Sequence, residues 1–313
     1  MHSIDRMYET LSSKSIGVSL FDLKYTFESA QPLAFHADYN AQSNTLTYAS
    51  GAHIINVGAG GSVDRGTLLV VGKDIGYAAR EVARRFRLGD NMRSIYRQIA
   101  TDSFVKASIE KYKGMRITLN DPWETTLCFI ISQFNNVKRI RLITKNILRT
   151  FGPSIKDDRD NVVANSFPEP GSLANATIKE LMACGTGFRA KYIKDAADYC
   201  ANNLDLSSLR TKGYAELKEE LMRISGVGDK VADCIALFGY GNTHAFPIDV
   251  WMQRAMERTY FNGKKTSARK IHEFAEERWG AYAGFAQQYI YHYARSSRMG
   301  AEAKRSRASN KYL

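Results

Sequence analysis

The stretch Leu221–Val250, LMRISGVGDKVADCIALFGYGNTHAFPIDV, sets Gly226, Gly228 and Lys230 within five residues and places an aspartate, Asp249, nineteen residues beyond the lysine. Upstream, Leu217, Leu221 and Ile224 recur at helical spacing and stop at Ser225-Gly226, so YAELKEELMRIS reads as an amphipathic helix ended by glycine. Downstream, Val231, Ile235 and Phe238 form the apolar stripe of a second helix. Between them GVG has room only for a turn that reverses the chain. The spacing predicts a helix-hairpin-helix over about residues 214–239, whose turn exposes backbone N–H groups at the next helix's N-terminus. Such a turn suits a DNA phosphate, and glycine lets the backbone come close.

Taken alone, G-x-G-x-K reads as an ordinary turn with a surface lysine. Asp249 adds weight. Pro247 keeps the chain extended before it, and the aspartate stands where it can cap the helix of VWMQRAMERTY. Lys230 and Cys234, one turn apart, share a helix face. A turn, a lysine and a capping aspartate at these intervals are together more specific than any one of them.

The rest of the chain sets the context. It has 313 residues, 44% hydrophobic and 24% charged, ordinary for a globular protein of more than one domain. Its 44 Lys and Arg against 32 Asp and Glu give a formal charge of +12, which favours a polyanionic partner. The four cysteines, Cys128, Cys184, Cys200 and Cys234, form no C-x-x-C pair. That argues against a zinc site, a cysteine-ligated iron–sulfur cluster or a disulfide framework, and no cofactor or metal is expected. MHSIDRMYET shows no apolar signal segment and no run is long enough to span a membrane, so the expected compartment is the cytoplasm, or the nucleus if the cell has one.

Residues 17–72 carry strand signals in LAFHADY, TLTYASG, AHIINVG and GTLLVVG, which predict an antiparallel sheet. The glycines of GAGGSVDRG have the wrong spacing for a phosphate loop and read as a hairpin turn. From Asp74 helical periodicity takes over. NDPWETTLCFIISQFNNVKRIRLITKNILRTFG reads as a buried helix, a polar break at Asn135–Asn136 and a basic amphipathic helix, and residues 151–171 read as a long connection. The fold class is therefore α+β: an N-terminal antiparallel β-sheet domain over residues 1–87, then a mostly α-helical region over residues 88–313 that contains the helix-hairpin-helix and ends in a basic tail from about residue 300.

LMRISGVGDKVADCIALFGYG…AFPIDV resembles the signature of the helix-hairpin-helix DNA glycosylases, and within them the 8-oxoguanine DNA glycosylases. FDLKYTFESAQPLAF, FRLGDNMRSIY, NDPWETTLCFIISQFNNVKRI, GTGFRAKYI and WGAYAGFAQQYIY are similar to further segments of that family in the same order. The resemblance covers nearly the whole chain apart from its two tails.

It implies a monomer acting on double-stranded DNA that contains oxidised guanine. Lys230 would be the nucleophile at C1′, forming a Schiff base that permits β-elimination, its pKa lowered by burial or nearby positive charge. Asp249 would stabilise the oxocarbenium-like charge, help with proton transfer and cap its helix. Cys234 and Tyr291 would sandwich the flipped base, Gln287 would read its Watson–Crick edge, and the Ala30 carbonyl would accept from the N7–H of the oxidised base. Tyr291 stands where Phe is usual and Ala30 where glycine is common. Arg139 and Arg189 match the pair that grips the opposite cytosine. Asn135, Phe188, Gly226 and Gly228 fall in DNA-contact segments, Phe134 replaces a gap-filling asparagine, and Trp251 replaces a phosphate-contacting histidine. Competing readings are an alkyl-base glycosylase of the same superfamily, which Lys230 disfavours, and a non-catalytic binder of DNA structure, which Lys230 and Asp249 together disfavour.

Overall fold

The structure, a computed structural model, describes residues 11–297; the N-terminal decapeptide and the basic tail lie outside the described residues. Seven strands are β1 (Ser12–Val18), β2 (Asp38–Asn40), β3 (Thr45–Ser50), β4 (His53–Gly61), β5 (Gly66–Gly72), β6 (Ser154–Lys156) and β7 (Val162–Asn165). Helices α1 (Leu23–Glu28) and α2 (Leu33–His36) interrupt the strands, and α3 (Ile75–Arg85), α4 (Met92–Ile99) and α5 (Ser103–Lys111) follow them. The helical region continues with α6 (Pro122–Ser132), α7 (Val137–Phe151), α8 (Pro170–Ala174), α9 (Ile178–Ala183) and α10 (Arg189–Asn202). It closes with α11 (Tyr214–Met222), α12 (Asp229–Gly239), α13 (Val250–Tyr260), α14 (Ala268–Trp279) and α15 (Ala283–Ser296). No described helix is long and apolar enough to cross a membrane.

β1 to β5 form one antiparallel sheet in the order β1-β5-β4-β3-β2. Alternation puts Leu46, Tyr48, Ile55, Val57, Leu68 and Val70 on one buried face, which Ala78 and Val82 of α3 and its C-cap Phe86 cover. The glycine-rich stretch is a hairpin turn, β4 pairing with β5 as far as Gly61 opposite Gly66. Two expectations fail. LAFH is helix α2 rather than strand, and only Asp38–Asn40 of that segment pairs in the sheet. The connection over 151–171 holds the β6–β7 hairpin, short strands with too little alternation to register as a pattern.

The sheet's helix and the helical region meet through buried charges. Arg85 of α3 donates to Glu81 at 2.8 Å and to Glu124 of α6 at 3.0 Å, while His36 Nε2 lies 2.9 Å from Glu124. Burial pushes the Glu124 carboxyl up, but Arg85 and His36 outweigh it and hold the group at about 2. Glu124→Leu should lower stability at neutral pH by about 3–5 kcal/mol, because Arg85 keeps its burial and loses a counter-charge. Since the folded-state value is depressed, the contribution is present above the ordinary carboxylate range and is lost as pH falls toward about 2. Urea unfolding at a series of pH values should show wild type and variant converging in acid; parallel curves would contradict the assignment.

Candidate active site

The helix-hairpin-helix predicted over 214–239 is α11, a turn and α12. Gly226 has a φ of +81°, and a Cβ there would stand 2.9 Å from Tyr192 Cβ, so the turn needs glycine for conformation and for space. Gly228 is different. Its backbone is extended, an added Cβ would meet nothing, and as the N-cap of α12 it supplies no side-chain acceptor. The first N–H groups of α12 therefore present themselves to an outside anion.

Lys230 is the second residue of α12 and is half-buried, its Nζ 5.0 Å above the Phe129 ring. Cys234, Asp249 and Tyr291 are the charge-bearing groups that act on it, from three different elements. Asp249 is extended and caps α13: its Oδ1 accepts from Trp251 N at 2.9 Å and Met252 N at 2.8 Å. Both cap bonds use one oxygen, so Oδ2 takes no part in the cap.

The expected lowering of the lysine pKa is not what this environment produces. Burial does push the ammonium down, but Cys234, Asp249 and Tyr291 push it up by more, and the net direction is up. The positive neighbour invoked to lower it is absent from that set. Burial drives the Cys234 thiol up to about 11, and the Tyr291 hydroxyl also rises.

Cys234 is buried on α12, and Tyr291 and Gln287 project from α15. Gln287 Nε2 donates to Pro247 O at 2.9 Å, which fixes the amide, and its buried Oε1 has no partner. A buried acceptor left unpaired costs about 1–3 kcal/mol, so Oε1 is poised for an external donor. Ala30 has a φ of +61°, the conformation that favours the glycine it replaces. Two residues not singled out from sequence hold it there. Gln288 Nε2 donates to Ser29 O at 3.0 Å, and Gln31 Nε2 donates to Ser29 Oγ and Arg116 O while its Oε1 accepts from Thr118 N. A cavity of about 510 Å³ beside this loop includes Ala30, Val137 and His292 in its lining but none of Cys234, Gln287 and Tyr291.

The loop before α7 presents Phe134 with 94% of its surface exposed and a φ of +48°. Arg189 is buried and committed: Nε donates to Gln133 O at 2.8 Å, Nη1 to Thr186 O, and Nη2 to both Gln133 O and Phe134 O. Burial and the nearby Arg139 both lower its pKa. Arg139 is exposed, with no side-chain hydrogen bond among the described residues. Phe188 packs edge-on to Phe134 at 6.3 Å, and Gln133 Nε2 donates to Gly226 O at 2.9 Å, tying this loop to the hairpin. The Asn135 amide is used internally, Nδ2 to Ile131 O and Oδ1 from Asn136 N. Trp251 is half-buried beside the cap.

Residues 127–281 match the family described as HhH-GPD superfamily base excision DNA repair protein. The chain is 31% identical over 216 residues to a probable N-glycosylase/DNA lyase of Methanothermobacter thermautotrophicus, a match spanning 63% of this chain and 68% of that one. It is 30% identical over 243 residues to the N-glycosylase/DNA lyase of Saccharomyces cerevisiae, spanning 66% of this chain and 64% of the yeast protein. The fold superposes on the Clostridium acetobutylicum 8-oxoguanine glycosylase/lyase in complex with double-stranded DNA containing cytosine opposite 8-oxoG, with a TM-score of 0.81, 30% identity and coverage of 93% of this chain and 99% of that one.

Because Asp249 is among the groups that raise Lys230, Asp249→Asn should make the amine reactive at lower pH. Acylation of Lys230, followed by mass spectrometry across the alkaline range, should rise earlier in the variant. The melting temperature should barely move, since Asn also caps helices. Superimposable acylation profiles would show that the carboxylate does not act on the amine.

Proposed function

This chain belongs to the HhH-GPD superfamily of base excision DNA repair proteins, and from that premise we infer that it is a bifunctional DNA glycosylase and lyase that removes 8-oxoguanine from duplex DNA. The observation that carries this reading is that the Asp249 carboxylate stands within electrostatic reach of the Lys230 amine, at the foot of a hairpin whose backbone suits a phosphate. The Lys230 ammonium first gives up a proton, for which Asp249 is the neighbouring anion. Its nitrogen then bonds to C1′ as the C1′–N9 bond breaks, and the departing base takes a proton. Asp249 stabilises the positive charge that builds on the sugar. Opening of the sugar leaves an imine on Lys230, and loss of a C2′ proton expels the 3′ phosphate.

The buried, unpaired Oε1 of Gln287 supports a guanine-type base, whose Watson–Crick edge offers N1–H and N2–H donors; adenine presents an acceptor at N1. The carbonyl of Ala30 is the acceptor for the N7–H that oxidation creates. Cys234 and Tyr291 take the two faces of the base. The partner is duplex DNA, and the compartment is the one that holds it, cytoplasm or nucleus.

Borohydride should trap a covalent complex with an 8-oxoguanine duplex. Lys230→Gln should abolish trapping while leaving lesion binding largely intact; trapping that survives the substitution would defeat the assignment.

The two arginines now divide. Arg189 has donors engaged on three carbonyls, whereas Arg139 is unengaged, so Arg139 is the donor available to the base left opposite the lesion. Arg139→Ala should erase the preference for cytosine over adenine, and Arg189→Ala should slow excision opposite every base by loosening the Phe134 loop. Single-turnover rates on the four opposite-base duplexes check this; a preference that survives Arg139→Ala and vanishes in Arg189→Ala reverses the roles.

A further inference from the structure

The segment that carries Asp249 is held at three closely spaced points. Asp249 is bound by the N–H groups of α13, Pro247 O accepts from Gln287 Nε2, and Phe246 O lies 3.0 Å from His272 Nε2 of α14. A carbonyl can only accept, so Nε2 carries a proton. The same nitrogen stands 3.1 Å from Asp233 Oδ2, an oxygen that is fully buried and has no hydrogen-bond partner of its own. Asp233 lies on α12, three residues after Lys230 and one before Cys234. Its other oxygen accepts from Tyr214 at 2.6 Å and faces Lys218 Nζ at 2.8 Å. One N–H thus stands between the helix that carries the lysine and the segment that carries the aspartate.

We propose that His272 is a positioning residue for base excision: it sets the spacing of Lys230 and Asp249 by donating its Nε2–H to the Phe246 carbonyl of one element and pairing with the Asp233 carboxylate of the other. The proposal rests on the reading of those two residues as nucleophile and charge-stabilising acid. The arrangement is not a metal site, although Asp229, Asp233 and His272 lie close enough together to suggest one, because Lys218 Nζ already sits 2.8 Å from both Asp229 and Asp233. The charged groups around His272 are therefore Asp229 and Asp233 of α12 and Lys218 of α11, beside the Tyr214 hydroxyl; Glu276, one turn along α14, faces His244 at 3.4 Å. Burial pushes the imidazolium down, and Asp233 pushes it up by more. As pH rises through that raised value the charge is lost while the Nε2–H remains, so the ionic part of the grip fades on the alkaline side.

Single-turnover excision from an 8-oxoguanine duplex by wild type, His272→Leu and His272→Gln tests this. His272→Leu should slow excision by about ten- to a hundredfold with duplex affinity unchanged. His272→Gln, whose amide nitrogen can donate to both acceptors, should recover most of the rate, and the ratio of wild type to Gln should fall as pH rises above the ordinary imidazole range. An inert wild type overturns the functional reading and this proposal with it. A wild type that excises beside an equally fast His272→Leu overturns this proposal alone. Should His272→Leu fail to fold, the Gln ratio decides, and a ratio flat across pH overturns the proposal; so does a Gln variant as slow as Leu.

Discussion

The Asp249 cap is the constraint from which the site is built. A carboxylate that accepts two N–H groups at the start of α13 must sit on extended backbone immediately before the helix, and that fixes the path of the chain from Ala245 onward. Pro247 makes the approach rigid, and its carbonyl orients Gln287. A cap is worth about 1 kcal/mol, small against the packing of α12 on α6, yet it decides where the Asp249 carboxylate stands relative to Lys230. Aspartate has the right reach: the cap takes one oxygen and leaves the other outside it, and a longer side chain would have to fold back to make the same bonds.

That carboxylate acts on Lys230 together with two other groups: Cys234, Asp249 and Tyr291 raise the ammonium by more than burial lowers it. A cation at this point favours the approach of a phosphate backbone and of an electron-rich base, and it cannot attack until it loses its proton. On the proposed reading of Lys230 as the nucleophile, that proton would have to leave before attack, and Asp249 is the carboxylate proposed to take it.

The hairpin and the cap were legible because each depends on residue types close in sequence: glycine in the turn, lysine on the next helix, aspartate behind proline. Features made by tertiary contact were not. LAFH has strand-prone residues, but Phe35 packs edge-on against Phe129, and Arg141 donates to the Ala34 and Ala37 carbonyls, which favours a single helical turn. The direction of the Lys230 shift could not be read because its neighbours come from α12, the start of α13 and α15. Arg189 resembles a base-gripping arginine in sequence, and only the structure reveals the carbonyls that it holds. His272 shows no local motif at all; its partners lie 26 and 39 residues upstream.

Two non-glycine residues in left-handed conformation, Ala30 and Phe134, belong to segments that the resemblance assigns to reading the base and to filling the gap it leaves. Such residues cost of order 1–3 kcal/mol each and persist where the surroundings over-determine them. At Ala30 the side-chain amides of Gln31 and Gln288 hold the flanking residue; at Phe134 the Arg189 guanidinium holds two successive carbonyls. Asparagine tolerates this conformation better than phenylalanine, so an aromatic ring at position 134 needs the stronger clamp. Were Phe134 to fill the space of an extruded base, as the resemblance implies, little backbone entropy would remain to be lost, because the loop is fixed in advance. The same clamp explains why a buried cation is tolerated so close to Arg139: its hydrogen bonds to carbonyls replace those it would make to water, and they leave the neighbouring arginine as the unengaged charge at the face where Phe134 is presented.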